Sequence, residues 1–214
     1  MKSFCTDPEA IESKSMAIIE NTLGQAAEQF DPKSLTLVKR VIHTTADFEY
    51  ADLMAISPGA IEAGIAALSE GGQVLVADTN MICAGINKAF LQRFGARAEC
   101  LVALQSTREE ALKHGLTRSM VNIRRAVEIY PKALYIIGNA PTALYELLRL
   151  YNENKVEPAL VVGVPVGFVE AEESKEELLG SKVPHITVRG RKGGSTVAVA
   201  IVNGLLKLAS KGVR

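Results

Sequence analysis

His43 is the residue with the clearest capacity for proton chemistry. It falls near the C-terminus of a helix predicted over about 33–46, where the negative end of the helix dipole favours the imidazolium form. Asp47, four residues on, reinforces that charge if the helix continues past it. A histidine held in its charged form is a candidate general acid. The alternative is an ordinary helix-end histidine. His114 sits beside Gly115 in a helix C-cap pattern, and His185 opens a strand after Pro184.

Three further segments offer groups for an anion. GRKGGS (190–195) lies between a predicted strand and a predicted helix, so its glycines can expose backbone N–H groups at a helix start. Arg189, Arg191 and Lys192 add positive charge. The segment meets neither the phosphate-loop pattern GxxxxGK[ST] nor the dinucleotide pattern GxGxxG. In GNAPTAL (138–144), Asn139 suits a turn, Pro141 a first helical turn, and Thr142 a donor to an anion. Both segments also read as well-formed strand–helix turns with no ligand. In GVPVGFVEAEES (163–174), Glu170, Glu172 and Glu173 are carboxylates for catalysis or, more in keeping with their position, the acidic first turn of a helix. Arg118, in TRS, is either a bidentate clamp for a carboxylate or a solvated surface arginine.

Composition removes several classes of function. The 214 residues carry 24 Lys+Arg against 24 Asp+Glu, a formal net charge of zero. That balance argues against nucleic acid or a membrane surface held by bulk electrostatics. The absence of Trp, with aromatics at 5%, gives no base-stacking platform. Cys5, Cys83 and Cys100 are odd in number and widely spaced, which fits a reducing cytoplasm and neither a disulfide framework nor a Cys-based zinc site. The histidines form no metal signature, so no metal or other cofactor is expected. No transmembrane run is predicted, and no secretory signal is expected from MKSFCTDPEAIESKSM.

The elements that must position these groups follow from periodicity. Helices are predicted over about 8–24, with Ile11, Met16, Ile18, Ile19 and Leu23 on one side; 33–46, with Leu35, Val38, Val41 and Ile42; and 58–70. After Gly72 nearly continuous apolar runs (73–78, 99–104, 133–138, 158–164 and 185–190) alternate with helical patterns (about 80–93, 107–129, 141–152, 172–180 and 194–209). Such runs are how strands of a parallel sheet covered on both faces read, and the alternation predicts an α/β, three-layer α/β/α fold with right-handed crossovers. One domain over 1–214 is expected, with a helical part at 1–71 and a strand–helix part at 72–214. In such sheets ligands lie beyond the carboxyl ends of the strands, which here carry the glycine-bearing loops already named.

IGNAPTALYELL, GVPVGFVEAEESKEEL, VRGRKGGS and RVIHTTADFEY, in this spacing, resemble the precorrin-8X methylmutase family of corrin biosynthesis, over about Ile11 to Leu206. The resemblance implies a five-stranded parallel flavodoxin-like sheet of order 2-1-3-4-5 and a homodimer. It implies a 1,5-sigmatropic shift of a methyl group from C-11 to C-12 of precorrin-8X or cobalt-precorrin-8, giving hydrogenobyrinic or cobyrinic acid with no redox step and no methyl donor. The family's catalytic histidine matches His43, implying protonation of a ring nitrogen on ring C. Its TRS arginine matches Arg118, and its N-terminal serine segment matches around Ser15. DTNM (78–81) occupies the family's post-strand acidic segment, with Thr79 and Asn80 departing from the metal-free branch. Those departures, with others near 44–48, favour the cobalt branch.

A precorrin is a broad apolar ring rimmed with carboxylates. Arg118, Arg191, Lys192 and the helix starts after Asn139 and Gly193 are the expected donors to that rim. Met81, Val166 and Phe168 are the expected cover for the ring faces, and a pocket between two subunits would enclose so wide a ligand better than one crevice. Two alternatives use the same scaffold: a tetrapyrrole carrier without turnover, and a flavodoxin-like nucleotide or FMN module.

Overall fold

The computed structural model describes residues 6–212, so Cys5 lies outside the described residues. Helix α1 (Pro8–Leu23) starts where the Asp7 carboxylate accepts the Glu9 N–H, with proline at its first position, and stops at Gly24. A 3-10 turn (Gly24–Gln29) leads to α2 (Pro32–Thr45), capped by Asp31, which accepts from the Lys33 and Ser34 N–H groups at 2.9 and 3.2 Å. Leu37, Val38, Val41 and Ile42 form the buried face of α2, and Leu35 is only partly buried. On α1 only Ile19 and Leu23 are buried, whereas Ile11 and Ile18 are exposed. This outer helix packs chiefly on α2, and Ile11 and Ile18 of its apolar stripe stay exposed.

After the short α3 (Tyr50–Leu53) comes strand β1 (Met54–Ile56), then α4 (Ala60–Ser69). Five further strands follow: β2 (Val74–Ala77), β3 (Arg97–Glu99), β4 (Leu134–Ile137), β5 (Leu160–Gly163) and β6 (His185–Val188). The sheet order is β1-β6-β5-β4-β2-β3. Strands β2 to β6 pair in parallel, and β1 runs antiparallel to β6 in the register Met54↔Val188, Ile56↔Ile186. The expected five-stranded, wholly parallel sheet is therefore corrected to a mixed, six-stranded one. The extra strand comes from within 1–71, the segment expected to be helical. Three residues between two helices are too few to show a period of two.

Between the strands lie α5 (Asn80–Gly85), α6 (Lys88–Arg93), α7 (Gln105–His114), α8 (Arg118–Ile129), α9 (Pro141–Asn152), α10 (Ala171–Leu179) and α11 (Ser195–Gly212). Two single helices expected from the sequence are each divided. The 80–93 segment breaks at Ile86–Asn87, where the Asn203 amide accepts the Asn87 N–H at 2.9 Å and donates to the Gly85 carbonyl at 3.2 Å. The 107–129 segment breaks at left-handed Gly115, and Thr117 caps the restart by accepting the Met120 N–H at 3.2 Å. The strand expected over 99–104 ends at Glu99. Beyond it the Leu101 N–H turns to the Asn122 side chain at 2.6 Å instead of a neighbouring strand.

Alternate strand residues feed two apolar layers. Leu75, Leu134, Leu160 and Ile186 meet α1, α2, α4 and α11 on one face; Val76, Tyr135, Ile137 and Val161 meet α8, α9 and α10 on the other. This sandwich leaves the carboxyl ends of β2, β4, β5 and β6 to be finished by loops. No helix among the described residues is long and apolar enough to cross a membrane.

Candidate functional site

His43 occupies the last turn of α2, with its side chain exposed and hydrogen-bonded to nothing among the described residues. The helix ends two residues later. Ala46 adopts a left-handed conformation, φ 55°, and returns its N–H to the Ile42 carbonyl at 2.7 Å. Asp47 therefore leaves the helix, and the expected i,i+4 pairing with His43 is corrected: the Asp47 carboxylate is bound by the Lys192 ammonium.

The imidazole stands between two hollows. One, of about 220 Å³, lies toward α5 and α11 and is lined by Arg40, His43, Met81, Ser195, Thr196 and Asn203 among others. The other, of about 240 Å³, lies toward α1 and is lined by Ser15, Ile18, Ile42, His43 and Phe48, with Ile19 and Ala46. Ser15 and Met81 are thus brought to His43 from opposite ends of the chain's first half. Thr79 joins them through a 3.1 Å contact between its hydroxyl and that of Ser195, and it caps α5 by accepting the Ile82 N–H. Asn80, the first residue of α5, is exposed beside it. Arg40 is tied to Glu12 at 2.9 Å, and Lys207 reaches the same oxygen at 3.0 Å; both cations hold that carboxyl below its ordinary range.

Other expected residues gather farther along the strand ends. Asn139 and Thr142 flank the start of α9, where the Thr142 hydroxyl lies 3.1 Å from that of Thr117. Arg118 follows Thr117 but lines a separate hollow with Arg108, Leu112 and Leu116, so the structure does not bring it to His43. The backbone beneath Asn139 is pinned by Asp78: its carboxylate accepts the N–H groups of Gly138, Asn139 and Ala140 at 3.0, 2.9 and 2.7 Å. Burial pushes the Asp78 carboxyl up, against the pull of those donors.

The loops after β5 and β6 interlock. Gly194 donates its N–H to the Val164 carbonyl at 2.8 Å, and Gly167 donates to the Arg191 carbonyl at 3.2 Å. Val166, Phe168 and Val169 are exposed on this loop pair, and the Arg191 guanidinium lies 5.8 Å from the Phe168 ring centre. Gly193 shows why glycine is needed. At φ +146° a Cβ there would lie 2.3 Å from the Val164 carbonyl oxygen. Gly193→Ala is expected to cost about 2–3 kcal/mol, since backbone rather than a flexible side chain would have to move, and a lowered urea midpoint would register it. An unchanged midpoint would mean that this turn has slack that its close contact conceals.

Lys192 is not a free cation. Its ammonium meets Asp47 and, at 2.8 Å, Glu49, and both carboxylates raise its pKa. Lys175 on α10 is fully buried and donates to the Lys192 carbonyl at 2.6 Å. Burial pushes the Lys175 ammonium down to about 8. An unfolded lysine titrates near about 10.4, so between those two values the unfolded chain binds more protons than the folded one, and stability rises with pH. The stability of wild type relative to Lys175→Met is expected to climb by about 3 kcal/mol from pH 7.5 to 10.5. Parallel pH profiles for the two proteins would sink that reading. The acidic neighbours behave as a helix start: Glu172 and Glu173 lie in the first turn of α10, and Glu170 precedes it at φ 60°.

Sequence reasoning missed Arg40, Ser195, Thr196 and Asn203. Arg40 precedes His43 by three residues and so shares its helix face, a signal available beforehand. Ser195 and Thr196 follow the glycine pair at the head of α11. Asn203 carried no such mark.

The site thus combines a mixed, doubly wound sheet with an exposed histidine, unpartnered among the described residues, set between two largely apolar hollows. The sequence model of the precorrin-8X methylmutase family matches residues 10–208. The cobalt-precorrin-8 methylmutase of Priestia megaterium is 44% identical over 212 residues, covering 99% of this chain and 93% of its own. The precorrin-8X methylmutase of Pseudomonas aeruginosa is 38% identical, covering 96% of this chain and 98% of its own. Among solved structures, a precorrin-8X methyl mutase from Thermus thermophilus superimposes with TM-score 0.87 at 39% identity, covering 95% of this chain and 97% of that one. The chain belongs to the precorrin-8X methylmutase family. It is an isomerase that transfers a methyl group within one molecule.

Proposed function

We propose that the chain moves a methyl group from C-11 to C-12 of cobalt-precorrin-8 or precorrin-8X, with His43 delivering a proton to a ring nitrogen of the macrocycle. The observation that carries this reading is the placement of the His43 imidazole: exposed, unpartnered, and shared by two apolar hollows that together offer a surface for a flat ring. Protonating the conjugated system withdraws electron density from it and promotes migration of the methyl group. The reaction then ends without net consumption of the proton, because the ring loses one as the product forms. Ser15, Thr79, Asn80 and Met81 line or flank these hollows as substrate contacts. Arg118, Arg191, Asn139, Thr142, Val166 and Gly193 belong, on this reading, to the wider rim that meets the carboxylates and ring edges. Four cobalt-precorrin-8 methylmutases at 41–44% identity, against 38% for the Pseudomonas aeruginosa precorrin-8X enzyme, support the cobalt form as substrate, while two further cobalt-precorrin-8 methylmutases at 36% fall below that enzyme. Phe168 and Val169, both strongly exposed, support a homodimer that covers them. A single domain and a place in the cytoplasm complete this reading.

The test is an absorption time course with freshly generated cobalt-precorrin-8 and precorrin-8X. Appearance of the corrin spectrum with one of them supports the isomerase and names its metallation state. Tight binding of both with no spectral conversion would favour the carrier.

A further inference from the structure

We propose that Lys192, seated by Lys175, is a positioning residue for His43: its ammonium ties the Asp47–Glu49 turn that follows α2 to the glycine turn that opens α11. The proposal rests on the reading of His43 as the proton donor.

Among the described residues His43 has no side-chain partner, so its place is set by the end of α2. That end is packed on α11 along its buried face. Beyond Ala46, the Asp47 N–H is held by the Thr45 hydroxyl at 3.3 Å, and Asp47 in turn accepts the Glu49 N–H at 3.0 Å. Both carboxylates of this turn converge on one ammonium, Lys192. Its charge also lies 5.9 Å from the ring centre of Tyr50, which is buried.

The other end of the tie is equally fixed. The buried Lys175 amine holds the Lys192 carbonyl, and the next two residues are laid against Val164. The chain then runs directly into Ser195 and Thr196, which face His43 across the same hollow. Lys192 thus links the segment that follows one wall of the cavity, His43 and Thr44, to the segment that precedes the other, Ser195 and Thr196. Two carboxylates already match its single charge, so it adds no net positive potential for a substrate carboxylate. Exposed ion pairs of this kind contribute little to global stability. Their effect here is on the spacing of two walls, and displacements near 1 Å at a reacting group are felt mainly in turnover.

The experiment compares Lys192→Met, Lys192→Arg, Asp47→Asn and the Lys192→Met/Asp47→Asn double variant. Turnover of cobalt-precorrin-8 is followed alongside equilibrium titration with cobyrinic acid. Lys192→Met and Asp47→Asn are each expected to lower kcat about tenfold while KM and the cobyrinic acid Kd stay within about threefold of wild type. Lys192→Arg is expected to recover most of kcat, and the double variant to be no slower than either single one. A Kd raised about tenfold with kcat unchanged would make Lys192 a substrate ligand and overturn the proposal. So would additive losses in the double variant, or wild-type kcat in both single variants. His43→Ala, run in parallel, separates the two failures. Wild-type turnover there removes the acid itself, whereas an inactive His43→Ala beside fully active Lys192 and Asp47 variants removes only the tie. Because Lys192 and Asp47 are partly exposed, unchanged urea midpoints are expected for these variants and exclude loss of fold as the cause.

Discussion

His43→Ala is expected to bind the corrin product nearly as well as wild type and to turn over about 10²–10⁴-fold more slowly. The size follows from what one positioned proton donor supplies; orientation and burial of the ring, which the variant keeps, supply the rest. The fold is expected to survive, because the side chain is exposed and holds no hydrogen bond among the described residues. A matched urea midpoint checks this. No other histidine is placed to substitute. His185 is buried, its Nδ1 lies 2.9 Å from the Val183 carbonyl, and burial pushes its pKa down. His114 ends α7 and lines neither hollow. A kcat within about threefold of wild type would remove His43 from the chemistry. Equal losses in kcat and in product affinity would instead make it a binding residue.

How much of this was legible in the sequence depended on how many residues carried each signal. The parallel strands β2, β4 and β5 are covered on both faces, so each reads as an unbroken apolar run, and β6 as one broken by His185 and Thr187. Strand β1 is three residues on an edge, and its pairing with β6 is decided by tertiary contact. The break at Gly115 was marked by a residue that tolerates positive φ. The break at Asn87 was not, since it depends on an amide from Asn203, more than a hundred residues away. The same contrast holds in the site. His43 was visible from its place at a helix end. The loss of Asp47 as its helical partner was not, because Ala46 is an unusual residue for a left-handed stop. Lys192 read as a free cation, and its two carboxylate partners lie some 145 positions earlier in the chain. Lys175 follows an acidic run that reads as the first turn of a helix and carried no mark of its own, yet it is fully buried beneath the loop it supports.

Asp78→Ala is expected to lower stability by about 3–5 kcal/mol and to impair turnover beyond what that loss explains. Asp78 stands just past β2 and is nearly inaccessible to solvent. Its two oxygens take three successive N–H groups, one from Gly138 and two from Asn139 and Ala140. These are the donors that a strand leaves open when it turns into a helix, here β4 into α9. Alanine would leave all three buried or half-buried without a partner, and each such orphan costs about 1–3 kcal/mol. Asp78→Asn is expected to cost less, about 1–3 kcal/mol, because its single amide oxygen can keep the pair from Asn139 and Ala140 while its NH₂ group faces the Gly138 donor. The order wild type, Asn, Ala in urea midpoint is therefore the expected result, and equal midpoints for Asn and Ala would mean that the negative charge, rather than the count of acceptors, holds the loop. The consequence for activity comes from Gly138, where a Cβ would lie 2.9 Å from the Ser195 Cα. A loop released at Asp78 shifts against the head of α11 and so moves the wall that faces His43. Turnover measured well below the denaturation range is expected to fall in the same order as the midpoints, and full activity in folded Asp78→Ala would show that the 138–140 loop supports the fold without shaping the cavity.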